Sequence, residues 1–395
     1  MKTKRPHILF HRPTMWKSNI QCSTKVLARL FSELDFDVSY LHNPLDPAHL
    51  FLGRMNYFRM WKNSPQIMGR LHAVTPFSPI PTRDIWPLNT LTAAQFKYQF
   101  CMPSLSRMIE GDNRNAPDLI WTTVPGSAKA LRRSFPKAKL VFHVIDYYPA
   151  FRGEAVKQLE IDDYAVSDEI YVIGNVLKQY LVDELNVSSA KITFLGQGVE
   201  LERYVKDLPE PNDIAELAHP RMIWSGVLGK GDPELFERSA NELQKHNGSL
   251  ILIGPGAEWA DALAQQYPDT VHLLGSCSPE DLPAYLCHSD IGAMLYDQNK
   301  QDVYRGQNPL KLYEYAAAGL PIISTPHDEF DTLKPPVEVV RTPDDISDAL
   351  AHILSNLPDY SAIALRFAQN NSWRDKIMDL QERFFPEWLN EGSAL

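Results

Sequence analysis

Short apolar runs of strand length alternate along the chain with longer segments of helical periodicity. In the first half the pattern predicts strands at 7–11, 37–42, 72–77, 118–123, 139–145, 169–174 and 191–196. In the second half it predicts strands at 221–226, 249–254, 271–275, 291–296, 321–325 and 337–341. Helical segments lie between most of these strands, and Asp232-Pro233 marks the start of one helix by an N-cap followed by proline. This alternation predicts an α/β fold in which helices cover both faces of parallel sheets.

A charged, proline-dotted stretch, VELERYVKDLPEPNDIAELAHP, follows Gly198 and interrupts the alternation. Such a composition is typical of a linker between domains. We therefore predict two Rossmann-like, doubly wound domains at 1–204 and 205–371, with a C-terminal helix at 372–395 that returns to the N-terminal domain. Ligands of such folds bind at the carboxyl ends of the strands, so we expect a cleft there.

Composition narrows the class of protein. The chain has 395 residues, 44% of them apolar, which is enough for two ordinary cores. Its four cysteines, at 22, 101, 277 and 287, have the spacing of neither a zinc site nor a disulfide framework. The apolar run near the N-terminus is too short for a signal peptide or a membrane span. We therefore expect a cytoplasmic protein.

Charge is divided unevenly between the two halves. Residues 1–140 carry 20 Lys and Arg against 8 Asp and Glu, whereas the remainder carries 19 against 41. Within the basic part, residues 51–70 place Arg54, Arg59, Lys62 and Arg70 among aromatic side chains. Such a segment suits peripheral contact with an anionic inner-membrane leaflet, although a surface helix with an ordinary core-facing side gives the same pattern. The net charge of −10 and the lack of a recognised module disfavour nucleic acid.

The segment from Asn308 to Gly319 predicts a short helix with anion-binding chemistry at its start. Asn308 is a good N-cap, Pro309 fits the first turn, and Gly319 is a clear stop. A helix N-terminus favours phosphate, and Lys311 adds a full charge where it opposes the helix dipole. Glu314 follows one turn later on the same face. The alternative is an ordinary amphipathic helix with a solvated Lys–Glu pair.

The segment NPLKLYEYAAAGLPII resembles the donor-site helix of GT-B glycosyltransferases, whose usual form is close to P-x-K-x-x-E-Y-x-A-x-G-x-P-V-I. Further pieces in the family's order are SGVLGKGDPELF at 225–236, LILIGPG at 250–256, VHLLGSCSPEDLPAYL at 271–286 and the SW pair at 372–373. The resemblance thus covers most of the C-terminal half. More weakly, 12–41 and 140–148 are similar to the inverting glucuronosyltransferase of xanthan assembly and related bacterial enzymes.

The resemblance assigns roles to residues of the C-terminal half. It implies that Lys311 neutralises the donor pyrophosphate and that Glu314 holds the ribose. The other implied donor contacts are backbone at Pro309 and Leu310, the base site at Gly275 and Ser276, an aromatic at Tyr296, and close backbone approach at Gly226 and Gly229. Lys311 and the helix terminus would stabilise the leaving diphosphate without a metal ion. We accordingly expect no cofactor beyond the substrate nucleotide sugar, UDP-linked by resemblance.

The stereochemical course is read from one departure from the family pattern. Many retaining members carry a glutamate eight positions before the ribose-binding one, whereas position 306 here is Gly. This favours an inverting mechanism, which needs a general base. The candidate is Asp146, at the end of a predicted strand, where partial burial would raise its pKa. It would otherwise serve only as an N-cap, and His143 and His11 are the runner-up bases.

Together these features predict a metal-independent hexosyltransferase of bacterial polysaccharide or glycan biosynthesis. It would move a sugar from a UDP-sugar to a carbohydrate acceptor, which is either free or lipid-linked. Alternatives are a retaining transferase, a sugar-nucleotide epimerase of the same fold, and a non-catalytic nucleotide-sugar-binding protein. A carboxylated donor would need a further cation, for which Lys230 and Arg305 are available. Asp35-Phe36-Asp37 has the form of a metal-binding D-x-D, but it lies in a predicted turn, where acids are common. The absence of a P-loop and of a glycine-rich first loop argues against a nucleotide triphosphatase and a dehydrogenase.

Overall fold

The computed structural model describes residues 5–390 except 19, 52–58, 60, 82–85, 112–113, 205–206 and 301–303. The chain divides into two compact units. The first consists of Met1–Gly196 together with Ile377–Leu395, and the second of Gln197–Lys376. Each unit contains one sheet, and each is described separately below.

The sheet of the first unit has the strand order β3-β4-β2-β1-β5-β6-β7-β8. Its strands are β1 His7–His11, β2 Asp37–Leu41, β3 Gln66–Met68, β4 Leu71–Val74, β5 Leu119–Thr122, β6 Lys139–Val144, β7 Glu169–Val172 and β8 Ile192–Phe194. The helices are α1 Ser23–Glu33, α2 Pro47–Phe51, α3 Leu91–Gln99, α4 Leu105–Ile109, α5 Ala128–Ser134, α6 Pro149–Arg152, α7 Val156–Val166 and α8 Asn175–Asp183. β1 at the centre pairs in parallel with β2 and β5, which confirms the predicted parallel sheet.

One strand of this sheet departs from the prediction. β3 runs antiparallel to β4, with Ile67 opposite His72, and so forms one edge. The two strands are joined at Gly69 and Arg70, and Gly69 has a φ of 60°, which favours glycine. Three residues are too few to show a period of two in the sequence, so β3 could not be separated from the basic segment around it.

The sheet of the second unit has the strand order β11-β10-β9-β12-β13-β14, and all its pairs are parallel. Its strands are β9 Arg221–Ser225, β10 Ser249–Ile253, β11 Val271–Gly275, β12 Ile291–Met294, β13 Ile322–Ser324 and β14 Val337–Val339. The helices are α9 Pro233–Lys245, α10 Glu258–Gln266, α11 Leu282–Cys287, α12 Leu310–Ala317, α13 Phe330–Leu333, α14 Asp345–Ser355 and α15 Leu357–Gln369. The carboxylate of Asp232 accepts from the backbone N–H of Glu234 and Leu235, which confirms the predicted start of α9.

The end of the chain packs with the first unit. Helix α16, Trp373–Phe384, begins in the second unit and ends in the first, and α17, Pro386–Asn390, follows it. The rings of Phe385 and Phe36 lie 5.0 Å apart edge to face, and Phe384 lies 6.4 Å from Trp121. The Nε of Arg383 bonds a carboxylate oxygen of Glu169 at 2.8 Å. Burying a phenylalanine stabilises by about 1.5–3 kcal/mol, so these rings hold the C-terminal helices on the first sheet.

Candidate functional site

The carboxyl edge of the second sheet is lined by glycines, whose backbone is not covered by side chains. Gly226, Gly254 and Gly275 end the neighbouring strands β9, β10 and β11 with φ values of 133°, 148° and 71°. They are linked, because Gly226 N–H donates to the Ile253 carbonyl and Gly254 N–H donates to that of Gly275. A Cβ on Gly254 would lie 1.8 Å from the Gly226 oxygen, so glycine is required there. Gly254 belongs to the LILIGPG segment, but the sequence did not single it out as a site residue.

Lys311 lies at the start of α12 beside this edge. Its Nζ is 3.3 Å from the centroid of the Trp224 ring and 4.9 Å from that of Tyr296. A Cβ on Gly226 would lie 3.3 Å from the same Nζ, so the ammonium group faces the Gly226 backbone. Lys311 makes no hydrogen bond or ion pair within the described part of the chain, and its only close partners there are the two rings.

Electrostatics leave the Lys311 ammonium poorly compensated. Burial, followed by the charge of Lys230, holds the pKa of Lys311 well below its ordinary value, and the charge of Glu314 acts in the opposite direction. The face of an aromatic ring attracts a cation, but less strongly than an anionic partner does. An anion placed at this edge would therefore gain more from Lys311 than from an already paired lysine.

The start of α12 differs in one detail from the prediction. The helix begins at Leu310 with Pro309 as its N-cap residue, and no side chain caps it. Asn308, the predicted cap, is buried and instead accepts a hydrogen bond from the Tyr313 hydroxyl at 2.9 Å. Pro309 and Leu310 are partly exposed. The first-turn N–H groups are therefore left without a side-chain acceptor, which suits an external anion.

Glu314 lies one turn after Lys311 and is partly exposed. Burial raises the pKa of its carboxyl group, while the charges of Arg203 and then Lys311 oppose that rise. No charged group lies within ion-pair distance of Glu314 among the residues that the structure describes. Its oxygens are thus available to accept hydrogen bonds from hydroxyl groups.

The remaining predicted donor residues take two kinds of position. Gly229 lies in an exposed 3-10 turn, Leu228–Lys230, where an added Cβ would meet nothing within 4 Å. Gly275 and Ser276 are exposed at the end of β11. Tyr296 is different, because it is only 5% exposed and packs edge to face on Trp224. Tyr296 therefore lies beneath Lys311 as part of its aromatic support.

His327 belongs to the same aromatic cluster and was not predicted from the sequence. Its ring lies 5.1 Å from that of Tyr296 and 5.0 Å from that of Phe330. Both ring nitrogens are buried and have no hydrogen-bond partner among the residues that the structure describes, and burial lowers the pKa of His327 to about 4. A neutral imidazole here packs against Tyr296 without adding charge. A lone histidine after a strand gives no sequence signal for this position.

The first unit contains a cavity of about 480 Å³. Its polar and aromatic lining includes Asp146, Tyr148, Arg152, Lys97, Tyr98 and His49. Asp146 follows β6, is partly exposed, and lies close enough to Arg12 for its charge to raise the pKa of that guanidinium. Burial alone would lower the pKa of Arg12, but the charges of Cys22, Asp146, Tyr40 and Tyr148 together raise it. Asp146 is thus an acidic side chain that lines this cavity.

The two runner-up bases are core residues. His11 is fully buried, with Nδ1 bonded to the Thr122 hydroxyl at 3.0 Å and Nε2 to the Tyr98 hydroxyl at 3.2 Å. His143 is also fully buried, and neither of its ring nitrogens has a hydrogen-bond partner within the described ranges. Burial lowers the pKa of each to about 3, so both are neutral at physiological pH. Neither residue lines the cavity that contains Asp146.

Two other sequence features have partial outcomes. Asp35 is paired with Arg5 at 3.1 Å and with Arg70 at 2.6 Å, in a turn where its own φ is 69°. The D-x-D carboxylates therefore serve ion pairs in the turn before β2. Of the basic segment 51–70, residues 52–58 and 60 lie outside the described residues, while Arg59 and Lys62 are exposed. No described helix is both long and apolar enough to cross a bilayer.

Residues 220–357 match the family model described as Glycosyl transferases group 1. A protein named as a teichuronic acid biosynthesis glycosyltransferase, TuaH, of Bacillus subtilis is 26% identical over 223 residues, which are 52% of this chain. The match spans 55% of the TuaH length, so only about half of that relative is represented.

A second relative covers more of the chain. The UDP-glucuronate:glycolipid 2-beta-glucuronosyltransferase of Xanthomonas campestris is 24% identical over 324 residues, which are 79% of this chain and 73% of the relative. Among solved structures, sucrose-phosphate synthase from Thermosynechococcus elongatus has a TM-score of 0.69 at 14% identity, covering 98% of this chain and 100% of that one. This likeness confirms the fold, two doubly wound domains of the GT-B type.

Proposed function

We propose that this chain, a GT-B glycosyltransferase by its fold and by the group 1 family match over 220–357, transfers a hexose from a UDP-sugar to a carbohydrate acceptor with inversion at the anomeric carbon. The biosynthesis of a bacterial polysaccharide is the proposed setting, in line with the name of the Bacillus relative. The UDP donor is in line with the name of the Xanthomonas relative.

One observation carries the proposal. Lys311 holds its ammonium group over the Trp224 ring, faces the Gly226 backbone, and has no anionic partner among the described residues. A diphosphate at the start of α12 would supply that partner and would also accept from first-turn N–H groups. As the bond between the sugar and the diphosphate breaks, negative charge grows on the leaving oxygen, and a fixed cation stabilises it. No metal ion is required for this step.

The other donor contacts follow from position. In the proposed complex Glu314 accepts hydrogen bonds from the ribose hydroxyls, and Gly275 and Ser276 border the base. Gly226 and Gly229 let backbone approach the phosphates closely, while Pro309 and Leu310 contribute backbone at the helix start. Tyr296, although only 5% exposed, shapes the floor under Lys311 and does not need to touch the donor.

Asp146 is the proposed general base. Its carboxylate takes the proton of the acceptor hydroxyl as that oxygen forms a bond to the anomeric carbon and the diphosphate leaves from the opposite side. The cavity of about 480 Å³ that Asp146 lines is the proposed site for the acceptor sugar. The glycine at 306 supports inversion, because it removes the glutamate that many retaining relatives carry.

A carboxylated donor sugar is a second candidate. Lys230 is exposed, and its charge is the largest electrostatic contribution to the lowered pKa of Lys311, so it lies near the proposed phosphate site. A uronic acid carboxylate would use this additional cation, and Arg305 is partly exposed nearby in sequence. Lys230→Met should then weaken binding of UDP-glucuronate more than that of UDP-glucose. Equal effects on the two donors would contradict the carboxylated version.

The proposed location is the cytoplasm, with peripheral contact at the inner membrane through residues 51–70. Arg59 and Lys62 are exposed and suit an anionic surface. A lipid-linked acceptor would be presented at that surface. Binding to vesicles that contain anionic lipid, and not to neutral vesicles, is the expected result, and an Arg59→Gln, Lys62→Gln double variant should bind less.

The experiment that tests the function measures ligand binding first and products second. UDP should raise the melting temperature more than ADP or GDP, since a ligand of the folded state stabilises it. Incubation with UDP-sugar alone separates an epimerase, which would change the donor, from a transferase, which needs an acceptor. The anomeric configuration of the product, read by NMR, separates inversion from retention. Stabilisation by ADP or GDP but not by UDP would contradict the proposed donor.

A further inference from the structure

Trp259 lies in the first turn of helix α10, a few residues after Gly254. Its Nε1 donates to the carbonyl oxygen of Leu228 at 3.2 Å. Its ring stacks on that of Phe236 in helix α9, with centroids 5.1 Å apart and planes 18° from parallel. The indole therefore joins α9 and α10 to the 3-10 turn Leu228–Lys230, which follows β9.

The three carbonyl oxygens of this turn are each held by a donor from another part of the unit. The donors are Trp259 Nε1 for Leu228, Lys300 Nζ for Gly229 at 3.3 Å, and the Asp297 N–H for Lys230 at 3.0 Å. A carbonyl oxygen carries the negative end of the peptide dipole, so it would repel a phosphate that it faced. An oxygen that is already bonded to the protein cannot turn toward a ligand without breaking that bond. The turn thus keeps its negative ends fixed against the protein.

Trp259 differs from the other side-chain donor of this set in how its direction is fixed. The side chain of Lys300 is 48% exposed and also bonds the Asp297 carboxylate at 2.9 Å, so it belongs to a surface ion pair. The Trp259 indole is partly buried and packs on Phe236 beside Gly231. A Cβ on Gly231 would lie 3.1 Å from the Trp259 ring and 2.7 Å from that of Phe236. This close packing holds the indole N–H in one direction.

We propose that Trp259 is a positioning residue of the donor site, which fixes the turn 228–230 beside the diphosphate with its carbonyl oxygens held away from the ligand. This inference rests on the proposed function, in which Gly226 and Gly229 bring backbone close to the phosphates. The Lys311 ammonium faces Gly226, where the segment that leads into the turn begins. A turn that is already in place before the ligand arrives does not have to be ordered on binding, so affinity is higher.

The test is the exchange Trp259→Phe, which keeps a ring beside Phe236 and removes the N–H donor. Without that donor the turn is held less firmly, and UDP affinity should fall roughly two- to tenfold, the equivalent of one net hydrogen bond. Uridine has no phosphate to meet the turn, so its affinity should stay at the wild-type value. NMR titrations of the same protein with UDP and with uridine measure both dissociation constants, and their ratio is the deciding quantity.

A second variant separates the loss of the donor from the change in ring size. Benzothienylalanine in place of Trp259 puts sulfur where the N–H was and keeps two fused rings, so it should show the same selective loss of UDP affinity. Tyr360→Phe is the matched control, because it also removes a side-chain donor in the second unit. The Tyr360 hydroxyl, on α15, bonds the Glu338 carboxylate on β14, the edge strand on the other side of the sheet. This control should bind both ligands as wild type does.

Three results would overturn the inference alone. They are wild-type UDP affinity in both Trp259 variants, a loss with phenylalanine but not with benzothienylalanine, and equal losses for UDP and uridine. The second result would mark an effect of ring size, and the third a general loss of structure. A wild-type protein that does not bind UDP would overturn the proposed function and this inference with it.

Discussion

Replacing Lys311 by methionine keeps the length of the side chain and removes its charge. In the structure this charge lies 3.3 Å from the centroid of Trp224 and has no anionic partner among the described residues. A hydrogen bond to a charged group contributes about 1.5–3 kcal/mol, so UDP should bind roughly 10- to 150-fold more weakly. Loss of one preorganised group that stabilises developing charge lowers a rate by about 10²–10³, and we expect transfer to fall by that factor or more.

The same change should not harm the fold. A methionine can still pack on the Trp224 ring, and contacts of sulfur with an aromatic ring contribute about 0.3–1.5 kcal/mol. Burial holds the Lys311 pKa well below that of the unfolded chain, so the unfolded state binds this proton first as the pH falls. Lys311 therefore costs stability at low pH, and the cost decreases as the pH rises from its folded toward its unfolded pKa. Lys311→Met should equal or exceed the wild-type melting temperature, with the larger gain at pH 6 than at pH 10.

Three measurements test these effects of Lys311→Met. They are calorimetry with UDP, a sugar-transfer assay, and thermal melts at pH 6 and pH 10. Lys245→Met is the control, because Lys245 is exposed and paired with Glu242 at 2.9 Å on α9. It should leave binding and transfer unchanged. A Lys311→Met protein that transfers sugar at the wild-type rate refutes the assigned role, and one that melts far below wild type refutes the view that Lys311 is held for binding.

Three further changes test other parts of the molecule. Asp146→Asn should lower the rate of sugar transfer by a factor of about 10²–10⁴, because general base catalysis contributes about that factor, and should leave UDP affinity unchanged. A variant that turns over as fast as wild type would favour a retaining or non-catalytic protein. Gly254→Ala should lower the melting temperature by several degrees, since the added Cβ would lie 1.8 Å from a carbonyl oxygen. Gly229→Ala is the control and should melt as wild type does, because its added Cβ meets nothing within 4 Å. Equal melting temperatures of the two variants would contradict the packing at the sheet edge. His143→Leu should stabilise the fold by about 1–3 kcal/mol below pH 6.5, because the buried His143 ring has no hydrogen-bond partner in the described part of the chain. Burial lowers the pKa of His143 to about 3, so the unfolded chain takes up the proton first as the pH falls, and an unchanged acid midpoint of unfolding would contradict this.

Most strands were predictable because they are fully buried and therefore appear in the sequence as continuous apolar runs. All thirteen predicted runs overlap strands of the structure, and only β3, with three residues, was not foreseen. Asp232 was predicted as a cap and is one, since its carboxylate accepts from the backbone N–H groups of Glu234 and Leu235. Asn308 was also predicted as a cap and is not, because the Tyr313 hydroxyl competes for its side-chain oxygen at 2.9 Å. A local rule fails where a tertiary or neighbouring donor offers the better bond.

The candidate site was predictable in its charged residues and not in their support. Lys311 and Glu314 were singled out because a lysine in the first turn opposes the helix dipole and so calls for another explanation. Trp224 and His327 were not singled out, since each contacts the other aromatic side chains from a distant position in the sequence. Gly254 was predicted only in part. The sequence shows that it belongs to the LILIGPG segment, but glycine is required there because of the Gly226 carbonyl oxygen after the neighbouring strand, which only the structure reveals.

The aromatic support explains why Lys311 can be both uncompensated and fixed. A lysine held by a carboxylate would have to break that pair before it could bind a phosphate, whereas the face of Trp224 keeps the ammonium in place without occupying its three donors. Glu314, which could have been such a partner, lies beyond ion-pair distance, and Arg203 contributes most to favouring its ionised form. The two charges of α12 are thus not paired with each other, and in the proposed complex each would contact a different part of the same nucleotide. A charge-swapped variant, Lys311→Glu with Glu314→Lys, should accordingly lose UDP binding even though its net charge is unchanged, and retained binding would show that only the sum of the charges matters.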